Sequence, residues 1–65
     1  MVLRQSDIGN LYLNEEMKAL RCIREAVDAL DETDPVAAGF WIEEAGYHAQ
    51  VMRRLKSKFD SIIEE

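Results

Sequence analysis

The run Glu44-Ala-Gly-Tyr-His48 sets a carboxylate and the only histidine of the chain four residues apart, so on a helix their heads stand side by side on one face. Carboxylate oxygens with imidazole nitrogens make a metal-binding donor set. Glu16, brought near by the helix pairing derived below, supplies a third donor, and a two-fold mate would double the set. The metal reading therefore rests on Glu16, Glu44 and His48. Against it stands the place of His48 on an apolar seam, where a Glu16 to His48 contact would satisfy two buried polar groups without an ion. The expectation is a structural polar layer that sets register, with no cofactor.

Nothing else in the chain assembles a reaction centre. Cys22 has no second cysteine for a disulfide or a zinc-thiolate pair, and it flanks an apolar stripe as a small filler would. Ser57 and Ser61 lie among charges with no histidine within reach, and Gly9, Gly39 and Gly46 are too isolated to cradle a phosphate. With no nucleophile, base and acid that can be named together, the chain is expected not to be an enzyme.

The elements that must position these residues are two helices. A chain of 65 residues is one domain, and 32% of it is charged, with a net charge of -5. Strand alternation is absent, and the segment DETDPV interrupts two long helical patterns: Asp34 is a natural N-cap and Pro35 suits the first helical turn. The patterns predict helix 1 over about residues 7–31, a turn at about 31–34, and helix 2 over about 35–63. Ser6 or Asn10 is the expected cap of helix 1.

In helix 1 the stripe is Leu13, Leu20, Ile23, Val27 and Leu30, with Glu16 in one slot and Ala19, Cys22, Ala26 and Ala29 beside it. In helix 2 the seam is Ala38, Trp41, Ala45, His48, Met52, Leu55, Phe59 and Ile62. The short turn makes the pair an antiparallel hairpin. Aligned about the turn, the seams predict Leu30 with Ala38, Val27 with Trp41, Ile23 with Ala45, Leu20 with His48, and Glu16 with Met52; Leu13 then meets Leu55 and Gly9 meets Phe59.

This all-α, two-helix antiparallel hairpin leaves Phe40, Tyr47 and Val51 without cover, together with Ile42 and Ile63. Helix 2 is apolar on most of its circumference between residues 36 and 52, more than one neighbouring helix covers. The sequence therefore predicts a homodimer forming a four-helix bundle, with Phe40, Trp41, Tyr47, His48 and Val51 at the interface; a tetramer is compatible with the same seams. Gly39 and Gly46, one heptad apart, suggest a face where another backbone comes close.

Charge is unevenly spread. Glu25, Asp28, Asp31, Glu32, Asp34, Glu43 and Glu44 fall in a stretch without a base, whereas Arg53, Arg54, Lys56 and Lys58 crowd into six residues. An acidic chain is a poor general ligand for phosphate backbones, but Lys18, Arg21, Arg53, Arg54, Lys56 and Lys58 form a basic rim for a nucleic acid or a protein partner. The N-terminal residues lack the continuous apolar run of a signal peptide or membrane span, and the lone cysteine fits a reducing compartment, so a cytoplasmic protein without membrane attachment is expected.

Two resemblances follow, both of architecture. A dimer of helical hairpins of this length resembles the small plasmid-encoded regulators that bind paired RNA loops, which implies a backbone-binding role for Lys18, Arg21, Arg53 and Arg54. The Glu16, Glu44 and His48 set resembles the di-iron carboxylate bundles in ligand count, although their Glu-x-x-His spacing is one residue shorter than that from Glu44 to His48. The reading that best absorbs all these features is a small homo-oligomeric interaction module, a regulator, adaptor or assembly factor; the alternatives are an RNA- or DNA-binding hairpin dimer and a carboxylate/histidine metal bundle.

Overall fold

The structure, a computed structural model, describes residues 4–62. Two α-helices, α1 (Gln5–Asp31) and α2 (Pro35–Ser61), pack against each other as a hairpin. The expected caps of α1, Ser6 and Asn10, lie inside it. Arg4 is the N-cap, and its backbone N–H donates to Asp7 Oδ2 at 3.2 Å, so Asp7 both ties off a free amide and sets negative charge at the positive end of the helix dipole. The predicted end of α2 at residue 63 lies outside the described residues; the observed end is Ser61.

The turn is built by local hydrogen bonding. Thr33 N–H donates to the Leu30 carbonyl (3.0 Å) and Asp34 N–H to the Ala29 carbonyl (2.8 Å), the paired bonds of a Schellman motif. That motif needs a left-handed residue, and Thr33 supplies it at φ 54° although it is β-branched. Asp34 then caps α2 by accepting from Ala37 N–H at 3.1 Å, with Pro35 in the first turn as expected. At the open end, Gln5 Nε2 donates to the carbonyls of Phe59 (3.1 Å) and Ile62 (3.3 Å), so the start of α1 satisfies acceptors at the end of α2.

The seam of α2 falls where the sequence puts it as far as Leu55, with Ala38 buried and Trp41, Ala45, His48, Met52 and Leu55 half-buried; beyond it Phe59 is exposed and Ile62 half-buried. The seam of α1 does not. Ile8, Ala19, Cys22, Ala26 and Ala29 are buried, with half-buried Tyr12 and Glu15 completing the same heptad line. Leu13, Leu20, Ile23, Val27 and Leu30, the expected core, are each 51–58% exposed. Relative to the predicted pairing, α1 is rotated by one residue, roughly 100°.

The reason is volume. α2 offers Trp41, His48, Met52 and Leu55 to the interface, and a second row of large side chains opposite them would hold the helices apart. Alanines and a cysteine let the backbones approach and the bulky side chains of α2 lie across them. The result is a thin rod. Its extents are 52 × 17 × 14 Å, and its radius of gyration of 15.1 Å exceeds the roughly 11 Å of a compact chain of this length.

Candidate functional site

His48 is half-buried on the α2 seam, and its partner comes from the rotation just described. With α1 turned by one residue, Glu15 and not Glu16 faces α2, and His48 Nδ1 lies 2.5 Å from Glu15 Oε2. An ionised carboxylate only accepts, so the bond requires the proton on Nδ1. The other carboxylate oxygen, Oε1, pairs with Lys18 Nζ at 3.5 Å. Hydrogen bonding from His48 is the main cause that holds the Glu15 carboxyl below the ordinary glutamate value; Lys18 lowers it further, while partial burial opposes both. The Tyr47 ring stands edge-on to the imidazole, 5.3 Å between centroids, and supports its orientation.

The three residues expected to form a metal set are not joined around one point. Glu16 and Glu44 are half-buried on positions adjacent to the seams, and His48 is engaged with Glu15. Among the described residues no group of three or more His, Cys, Asp or Glu side chains is arranged to hold an ion. Cys22 is buried on the seam itself, not beside it.

The expected interface residues divide by helical position. Trp41 and His48 point into the hairpin, whereas Phe40 and Tyr47 are exposed and Val51 is half-buried one position before the seam. Ile42 is exposed as expected, and Ile63 lies outside the described residues. In an antiparallel pair, positions one step before each seam fall on one flank and positions one step after on the other. The first flank holds Phe40, Tyr47 and Val51 of α2 beside charged residues of α1, including Lys18, Arg21, Glu25 and Asp28.

The second flank holds the displaced stripe. Leu13, Leu20, Ile23, Val27 and Leu30 of α1 share it with Gly39, Ile42, Gly46 and Ala49 of α2. At the open end, Gly9 and Leu13 line a groove with Lys56 and Asp60, all one step after their seams, which agrees with this assignment. The basic rim is likewise divided: Lys18, Arg21, Arg54 and Lys58 lie on the first flank, Arg53 and Lys56 on the second. All six are exposed.

The apolar second flank is the feature that the sequence reading missed. A signal for it existed: α1 carries two adjacent heptad stripes, one of small residues and one of large, and a two-helix hairpin needs only one. No helix among the described residues is long and apolar enough to cross a membrane. The chain matches no family model, no curated protein and no solved structure.

Proposed function

We propose that this chain is a homo-oligomeric helical interaction module that works by association rather than catalysis, its hairpins dimerising into a four-helix bundle. One observation carries the reading: Leu13, Leu20, Ile23, Val27 and Leu30 form an outward stripe, broken only by half-buried Glu16, and each of the five is more than half exposed. Covering a side chain of this kind is worth roughly 1.5–3 kcal/mol when complete, and a 65-residue hairpin whose buried residues are all small except Ile8, with the large side chains of its α2 seam only half-buried, has little other apolar burial to rely on. A protein of this design is a scaffold for contacts. Its acidic turn end, with Asp28, Asp31, Glu32 and Asp34, and its basic far end, with Arg53, Arg54, Lys56 and Lys58, orient whatever protein docks on the assembled bundle.

Native mass spectrometry of freshly purified, chelator-free protein tests this reading. A metal-free dimer or higher even oligomer is expected. A monomer at all concentrations would remove the proposal, and a stoichiometric metal lost in His48→Ala would replace it with the metal bundle.

A second reading has one specific observation in its favour. Lys18, Arg21, Arg54 and Lys58 share one flank with Tyr47, a basic and aromatic surface of the kind that follows a phosphate backbone. Binding to a short hairpin RNA, falling steeply between low and physiological salt and weakened in Arg54→Ala, would favour it over docking onto protein.

A further inference from the structure

Gly39 and Gly46 have no explanation within the hairpin. A β-carbon placed on either meets no atom within 4 Å, so nothing in the chain itself requires glycine there, and glycine is among the poorest residues for a helix interior. Both lie on the second flank, one heptad apart, with Ile42 between them and Ala49 beyond. Across a shallow step stands the α1 stripe of Leu20, Ile23, Val27 and Leu30. Between residues 39 and 49 the α2 side of this flank carries Ile42 as its one large side chain, whereas the α1 side carries four. Two bare backbones beside an exposed apolar ridge form a surface shaped for close approach of another helix.

Resting on the association proposed above, we infer that the occupant of this flank is a second copy of the chain, docked end for end about a two-fold axis perpendicular to the rod. In that arrangement α1 crosses over the α1 of its mate, stripe on stripe, and α2 lies over the mate's α2 with the glycines admitting the neighbouring backbone.

Two properties of the molecule select this occupant and orientation. The first is area: a rod 52 Å long and 17 Å wide presents a side matching the roughly 800 Å² per partner that a standard stable interface buries. The second is charge. The residues around the turn, Asp31, Glu32 and Asp34, are acidic, while Arg53 and Lys56, the basic residues of this flank, lie toward the opposite end. End-for-end docking brings each acidic end against a basic segment of the mate, whereas docking with both turns at one end crowds like charges together.

The flank opposite, with Phe40 and Tyr47, stays outside this dimer and remains free for a partner. That departs from the interface expected from sequence, which centred on Phe40, Tyr47 and Val51.

The test is sedimentation equilibrium of the full chain and its variants, with helicity followed by circular dichroism. Gly46→Leu places a better helix former at an open site, so the hairpin keeps or gains helix while its dimer dissociation constant rises at least ~100-fold; Tyr47→Glu leaves the constant within about threefold of the parent. A Gly46→Leu dimer as tight as the parent, or a Tyr47→Glu monomer, would overturn the face assignment. If the parent chain itself is monomeric, the underlying proposal of association fails instead.

Should Gly46→Leu not fold, Tyr47→Glu still tests the face, and a spin label at Asp34→Cys in a Cys22→Ala background reads the orientation of docking. Labels separated by a distance approaching the 52 Å of the rod support end-for-end docking. Labels within about 20 Å, as neighbouring turns of packed helices would place them, overturn it.

Discussion

Glu15 of α1 and His48 of α2 are hydrogen-bonded across the hairpin, the one side-chain hydrogen bond among those described that joins the middles of the two helices. The pair answers what a histidine is doing on an apolar seam. Its Nδ1–H has a carboxylate to donate to, and the carboxylate is held in turn by Lys18. The bond reports the rotational setting of α1, because Glu16 in the same place would bring the large stripe inward and the alanines outward.

The pair predicts a pH signature. The folded-state pKa of Glu15 is depressed, so its contribution to stability is fully present above the ordinary glutamate range and is lost as pH falls through the lowered folded value. In a carboxyl NMR titration Glu15 is expected to have a midpoint below the ordinary glutamate value, returning toward it in His48→Leu. In parallel urea melts, the parent should lose more stability than Glu15→Gln as pH falls from above the ordinary glutamate range to below it. A Glu15 midpoint unmoved by His48→Leu would show that the bond is not formed in solution.

The turn predicts two changes of opposite sign. Thr33 holds a left-handed conformation that costs a residue bearing a β-carbon about 1–2 kcal/mol, so Thr33→Gly should stabilise the fold by about 1 kcal/mol after the glycine's own entropy cost. Asp34→Ala removes the oxygen that caps Ala37 N–H and should destabilise it by about 1 kcal/mol. Chemical denaturation at one fixed protein concentration measures both. Destabilisation by Thr33→Gly would mean that the threonine side chain contributes more than its backbone strain costs.

Rotation of α1 makes neighbouring residues respond differently. Ala26 is buried where the helices meet, and Ala26→Leu is expected to cost roughly 1–3 kcal/mol through overpacking at any concentration. Leu30 lies on the outward stripe, so Leu30→Ala should act through association, with a cost that grows as protein concentration rises. Equilibrium unfolding at two concentrations separates the cases. If Ala26→Leu were neutral and Leu30→Ala costly even when dilute, the predicted Leu30 to Ala38 pairing would have been right after all.

Cys22 gives an independent reading of the same rotation. Its thiol is buried between the helices, so a charged thiol reagent should modify native protein far more slowly than denatured protein, at a rate set by opening of the hairpin. Prompt modification under native conditions would place Cys22 on the surface.

Much of the hairpin was legible in the residues alone, because the relevant physics is local. Asp34 and Pro35 mark the start of α2 through unpaired amides and a fixed φ, and an unbroken three-four spacing from Ala38 onward determines which side of α2 is covered. Thr33 was not legible, since a β-branched residue is a poor advertisement for a left-handed turn and only the closing hydrogen bonds impose that conformation.

Which stripe of α1 would meet α2 was decided by the tertiary structure. Hydrophobicity favours Leu20, Ile23, Val27 and Leu30 over Ala19, Cys22, Ala26 and Ala29, and a pattern read along one helix weighs only that helix. Packing weighs both helices at once: α2 already fills the seam with Trp41, His48 and Met52, leaving room for small side chains opposite. The identity of the carboxylate beside His48 followed from that setting, as did the large stripe left facing outward.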